Sequence, residues 1–163
     1  MIALEKPINE TERLRSLRKY KILDTPVDGN FDRITALAAS IFKVPIAIIS
    51  LVDADRIWFK SHHGVPVDQI GRDPGLCASA ILSPDPHILT DAKADPRSLA
   101  NPLVAGDFGL RFYAGVPLRT SDGYMIPCAG HATERMGSKG RGWPDARGAP
   151  GRRLRIAPPP DRA

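Results

Sequence analysis

Pro45-Ile-Ala-Ile-Ile-Ser-Leu-Val-Asp53, followed by Ala54-Asp55 and then Arg56-Ile-Trp-Phe-Lys-Ser61, is the stretch on which the fold turns. Its first run is apolar nearly throughout and does not alternate. Such a run belongs to a strand covered on both faces, so it predicts an inner strand with a layer on each side of the sheet. Asp53-Ala54-Asp55 reverses the chain, and Arg56–Ser61 returns as the partner strand of a hairpin. The whole apolar run is far shorter than the roughly 18 residues a membrane span requires.

Two helices precede this hairpin. Asn9 stands before Glu10-Thr-Glu12, with Leu14 and Leu17 at helical spacing. This predicts an amphipathic helix over about Glu10 to Tyr20, capped by Asn9, with acids in its first turn and Arg13, Arg15, Arg18 and Lys19 on its wet side. Leu23-Asp-Thr-Pro26 ends it. A second helix is expected from about Asp28 to Phe42, where Phe31, Ile34, Leu37, Ala38, Ile41 and Phe42 form one apolar stripe.

On the other side of the hairpin, His63 to Gly75 reads as a loop, Cys77–Leu82 as a short helical turn and Ile88–Asp91 as a short strand. Arg111–Leu118 is a further strand, and Thr120-Ser-Asp-Gly123 turns it back. A strand beginning at Tyr124-Met-Ile126 then meets Pro127, which removes a ladder donor.

From Pro127 to Ala163 the chain changes character, with six Pro, six Gly, six Ala and seven Arg in 37 residues. This composition matches both a shifted reading frame in GC-rich DNA and a genuine tail, and either origin predicts disorder. The expected division is therefore a domain at 9–126 and a basic tail at 127–163. The charge divides in the same way: residues 1–126 hold 15 basic and 15 acidic side chains, and residues 127–163 hold 8 and 3. A neutral folded part has no electrostatic footprint for nucleic acid or an acidic membrane. Met1–Pro7 carries no signal-peptide pattern, which predicts a cytoplasmic protein. Two cysteines, Cys77 and Cys128, make no disulfide framework.

The chain resembles the GAF domains that open many bacterial sensor kinases and cyclic-dinucleotide synthases. The resemblance is carried by Ile22-Leu-Asp-Thr25, Phe31-Asp-Arg-Ile-Thr35, Val44-Pro-Ile-Ala47, Ser50-Leu-Val-Asp53 and Trp58-Phe-Lys-Ser61. It continues through Leu76-Cys77, Asp95-Pro-Arg97, Asn101-Pro-Leu-Val104, Arg111-Phe-Tyr-Ala-Gly115 and Asp122-Gly-Tyr124. It implies an α/β (α+β) fold, an antiparallel-rich sheet with helices on both faces. Ser79 stands where such domains often carry a histidine. The resemblance also implies a last inner strand and a C-terminal helix after Tyr124, and the sequence shows neither. With that strand missing, the two strands flanking it would keep bare edges, and the chain is expected to fold poorly or to aggregate through them.

A GAF-type domain implies a sensory input module that binds a small ligand or a partner and acts on a signalling partner in trans. A homodimer through the N-terminal helix is also implied. No Gly-rich phosphate loop, kinase-type histidine box or Gly-Gly-Asp-Glu-Phe run is present, so no catalytic output is expected; the chain reads as a fragment of a sensor histidine kinase or diguanylate cyclase. Candidate ligand-pocket residues are Trp58, Cys77, Asp91, Asp95, Arg97 and Tyr113, each with a structural alternative as core packing or a turn-stabilising ion pair. Cys77, at the start of a helical turn, also allows a free-standing methionine sulfoxide reductase of the GAF type, or simply a small buried residue. His62, His63 and His87 match no metal spacing, and no metal or cofactor is expected.

Overall fold

The computed structural model describes residues 6–73, 75–106, 109–133 and 155–156, the last two stretches from Pro127 onward by backbone alone. Helix α1 spans Glu10–Lys19 and α2 spans Gly29–Phe42. They are followed by β1 (Ile46–Val52), β2 (Arg56–His63), β3 (Gln69–Gly71), α3 (Leu76–Ala80), β4 (His87–Leu89), a 3-10 turn at Ala92–Ala94, α4 (Pro102–Ala105), β5 (Phe112–Thr120), β6 (Met125–Thr133) and β7 (Arg155–Ile156). One sheet runs in the order β3-β2-β1-β6-β5-β4, antiparallel at every pairing on this path, and the short β7 lies parallel to the end of β5.

The expected hairpin is β1–β2, and β1 is the inner strand its composition demanded, with β2 on one side and β6 on the other. Each face of the sheet carries its own core. Ile46, Val52, Ile57, Phe59, Leu76, Cys77, Leu89, Val104, Leu110 and Tyr113 pack on the side of α3 and α4. Leu17, Leu51, Trp58 and Ile126 pack on the side of α1, with Leu14, Tyr20, Ile22 and Leu23 against them.

The expected bare edges do not occur. β6 continues past Ile126 to Thr133 and lies between β1 and β5, pairing Ile46 with Ala132 through Leu51 with Pro127 on one side and Phe112 with Thr133 through Pro117 with Cys128 on the other. The physical reason is that a ladder is made by backbone groups, so two facing edges accept any extended segment whose own donors and acceptors are free. Pro127 sits near the start of the strand, where a missing donor interrupts least. Residues 127–133 of the expected disordered tail are strand in β6 and 155–156 in β7; the rest of the tail and the fate of the C-terminal helix lie outside the described residues.

Four local expectations are corrected. Asn9 makes no side-chain cap on α1. Arg13 is not on the wet side but 1% exposed, where its Nη1 donates to the Val52 carbonyl at 2.7 Å while Nε and Nη2 bind the Glu10 carboxylate. The stripe on α2 faces outward: Ile34, Leu37 and Ile41 are 56, 60 and 63% exposed, while Thr35 and Ala39 face the sheet. A hydrogen-bonded seam decides this orientation, since Ser61 Oγ donates to Asp32 Oδ1 at 2.6 Å and lies 2.8 Å from Thr35 Oγ1, and small Ala39 lets the helix come close. Three residues of the expected 63–75 loop form β3, which pairs with β2 from Arg56 to Trp58.

The turn after β2 depends on Gly64. Its φ is +79°, and a Cβ there would strike the Pro45 carbonyl group just ahead of β1. Replacing it by alanine combines a left-handed backbone with a backbone clash. Gly64→Ala should lower stability by about 2 kcal/mol or more, read as a lower urea midpoint at unchanged slope.

Candidate functional site

The site is built on the α3/α4 face. β5 brings Tyr113 to the sheet face under α3, where its hydroxyl donates to Cys77 Sγ at 3.5 Å. Gly115 makes this possible: a Cβ there would lie 2.8 Å from Tyr113 Cζ, so only glycine lets the ring cross the strand. β4 adds His87, whose ring centroid is 5.9 Å from that of Tyr113. Burial pushes the His87 pKa down, the Arg97 charge adds to this, and Asp95 opposes it; the imidazole is neutral at neutral pH.

Asp95 and Arg97 close over this group. Arg97 donates to the Asp95 carboxylate from Nη2 at 2.8 Å, from Nε at 3.1 Å and from its backbone N–H at 2.9 Å. These side-chain hydrogen bonds hold the Asp95 carboxyl below the usual carboxylate range. The backbone of the segment is fixed from below by Ser98, whose hydroxyl bonds to the Ala92 and Asp95 carbonyls. Leu76, Ser79, His87, Asp95, Arg97 and Ser98 line the space that remains, about 10 Å³, which is room for one water.

Of the six residues expected to line a pocket, Asp95 and Arg97 line this space, while Tyr113 and Cys77 bond each other alongside His87 without lining it. Asp91 instead caps the 3-10 turn through the Lys93 N–H and forms a two-bonded ion pair with Arg111, from Nε at 2.7 Å and Nη2 at 2.5 Å. Trp58 packs on the opposite face of the sheet, against Leu17 and Ile126. Two members were missed. His87 could have been found only by pairing its strand with the one carrying Tyr113. Ser79, noticed as a departure from the family, lines the residual space itself. Chemically the group offers a neutral imidazole, a phenol, a thiol and a paired carboxylate and guanidinium, a set suited to recognising a small polar molecule. Among the described residues no cluster of three or more His, Cys, Asp or Glu side chains has metal-binding geometry, and no described helix is long and apolar enough to cross a membrane.

One antiparallel sheet with helices on both faces and a polar cluster under α3 define a small mixed α/β domain. The chain belongs to the GAF domain family, whose profile matches residues 26–126. It is 39% identical over 120 residues to a cyclic di-GMP phosphodiesterase of Pseudomonas aeruginosa; the match covers 74% of this chain and 20% of that protein, so the chain spans about a fifth of the relative's length. Among solved structures it is similar to a putative GAF sensor protein from Burkholderia vietnamiensis (18% identity, 83% of this chain and 84% of that one, TM-score 0.55). It is also similar to the free methionine-R-sulfoxide reductase of Neisseria meningitidis (20% identity, 85% and 84%, TM-score 0.55). At these identities the structural likenesses show the fold alone.

Proposed function

We propose that this chain is a sensory input module of bacterial signal transduction, cytoplasmic and without catalysis of its own. In this reading a small polar ligand enters beneath α3 and is held by His87, Tyr113 and the Asp95–Arg97 pair. The observation that carries the reading is the Asp95–Arg97 ion pair beside His87, whose ring lies against Tyr113, with only about 10 Å³ left between them. A ligand must open this pair, and opening it moves the turn that Ser98 ties to Ala92. The output is supplied in trans or by a longer protein such as a sensor histidine kinase or a diguanylate cyclase. The relative named as a cyclic di-GMP phosphodiesterase supports the cyclic-dinucleotide branch. The helix layer carries a homodimer, where the N-terminal helix was the expected contact and the outward stripe of α2 adds apolar surface.

The test is an amide-shift titration of the full chain with a panel that includes cyclic nucleotides and free methionine sulfoxide. A binding member should shift the amides of Ser79, His87, Leu89 and Ser98, and Arg97→Ala should weaken it about tenfold or more. A panel member that binds elsewhere and ignores Arg97→Ala counts against the reading. An enzymatic alternative, thiol-dependent sulfoxide reduction at Cys77, has in its favour that this thiol lies inside the cluster. Turnover lost in Cys77→Ser would establish it.

A further inference from the structure

The opposite face of the sheet holds a lysine that the sensory reading does not use. Along β1 and β2 the pairing steps from Ile49 opposite Ser61 to Ser50 opposite Phe59, so Lys60 is an extra residue, a β-bulge. The bulge turns both Lys60 and Ser61 toward α2. Lys60 is 8% exposed. Its Nζ donates to Thr25 Oγ1 and to the Pro26 carbonyl, both at 2.9 Å, and sits 5.4 Å from the centre of the Phe31 ring. An ammonium has three donors, and among the described residues the third finds no acceptor.

Among the described residues no carboxylate pairs with this charge, and the acids near it have other partners. Asp24 holds Arg56 through two hydrogen bonds of 2.8 and 2.6 Å. Asp28 accepts from the Asn30 N–H at the start of α2, and Asp32 accepts from Ser61 Oγ. Lysines are almost never this buried without an opposite charge, since desolvating the ammonium is costly. Next to Lys60 lies a wide, open cleft of about 560 Å³ between the 20–29 segment and α2, with Tyr20, Ile22, Pro26, Val27 and Phe31 among its walls.

We propose that this cleft binds a small organic carboxylate with a flat apolar body, its carboxylate completing the coordination of Lys60 and its body resting among Tyr20, Ile22, Val27 and Phe31. Lys21 and Asp28, both on the wall, offset each other, which leaves the buried Lys60 ammonium as the one charge for a ligand to match. The site lies across the sheet from the Asp95–Arg97 cluster and stands or falls independently of the sensory reading.

The experiment is an amide-shift titration of the full chain with sodium benzoate, with sodium acetate and inorganic phosphate as comparison probes. Benzoate should move the amides of Ile22, Thr25, Val27 and Gly29 saturably, and more strongly than either comparison ion. Lys60→Met should weaken it about tenfold or more. Val27→Trp, a substitution at an exposed position on the rim, should block the cleft equally while the fold stays intact, so the test survives if Lys60→Met fails to fold. Silence at these four amides, tighter binding of phosphate than of benzoate, or full benzoate affinity in Val27→Trp would each overturn the proposal.

Discussion

A chain ending at Ile126 should show no cooperative thermal transition, and the full chain should show one. The stop removes the body of β6, and with it the partners of β1 from Ile46 to Leu51 and of β5 from Phe112 to Pro117. Each buried backbone group left unpaired costs about 1–3 kcal/mol, and a domain has only about 5–15 kcal/mol to lose. Bare edges in the middle of a sheet also recruit other chains, so the shortened protein should sediment as aggregate. Gly130→Pro tests the same strand without shortening the chain. It removes an N–H in a strand flanked on both sides, where Gly130 faces Ile48 and Gly115. A sharp calorimetric transition in the 1–126 chain would show that the sheet does not need β6.

Glu10→Gln is the second large effect. The Glu10 carboxylate is the shared anion of two buried arginines: Arg13 binds it through Nε and Nη2, each at 2.7 Å, and Arg72 through Nη1 at 2.5 Å. Arg72 Nη1 also donates to the Asp53 carbonyl at 2.9 Å, and Arg13 to that of Val52, so the cluster clamps α1 to the end of β1. Removing the anion while keeping both buried cations costs about 3–5 kcal/mol, seen as a lower denaturation midpoint. Acid should do the same to the unmodified protein. Burial works against ionisation of Glu10, but the hydrogen bonds and charges of Arg13 and Arg72 outweigh it and hold its pKa at about 2, against an ordinary 4.5. A depressed pKa means that the stabilisation is complete above about 4.5 and is lost as pH falls toward 2. The shift is worth at most ~3 kcal/mol, less where water reaches the carboxylate. Glu10→Gln should flatten this part of the stability–pH curve. A variant that keeps the full acid slope would assign the slope to other carboxylates.

The parts of the fold that were legible in the sequence are those in which a side-chain pattern and a backbone structure coincide. The apolar run Pro45–Asp53 had to be an inner strand, and Arg56–Ser61 had to return beside it. The stripe on α2 was equally plain, but periodicity gives a face and not its direction. What turned the stripe outward was the contact of Thr35 and Asp32 with Ser61, a long-range seam that spacing cannot reveal. The bulge at Lys60 had a similar effect, since one extra residue changes which side chains of β2 reach the helices, and alternation alone cannot locate it. β6 escaped notice because its residues lack the apolar alternation of a strand, while the ladder that holds it is made by backbone. In the site, Asp95 and Arg97 lie beside His87, and Tyr113 and Cys77 join them through that ring. Asp91 went to a competing partner, Arg111, and Trp58 to the opposite core.

The place of β6 in the sheet also sets an order of events. β1 meets β2 after a three-residue turn, but Ile46 meets Ala132 only after nearly the whole domain has been made. Contacts so distant along the chain close late, because the entropy of the intervening loop is lost before the contact rewards it. On the ribosome, where the N-terminal portion emerges first, one half-sheet is complete while the other is still unsynthesised, and the two remain separate until β6 emerges. The domain is thus assembled as two leaves joined late along a central seam, and its yield in a cell depends on how long those leaves can wait.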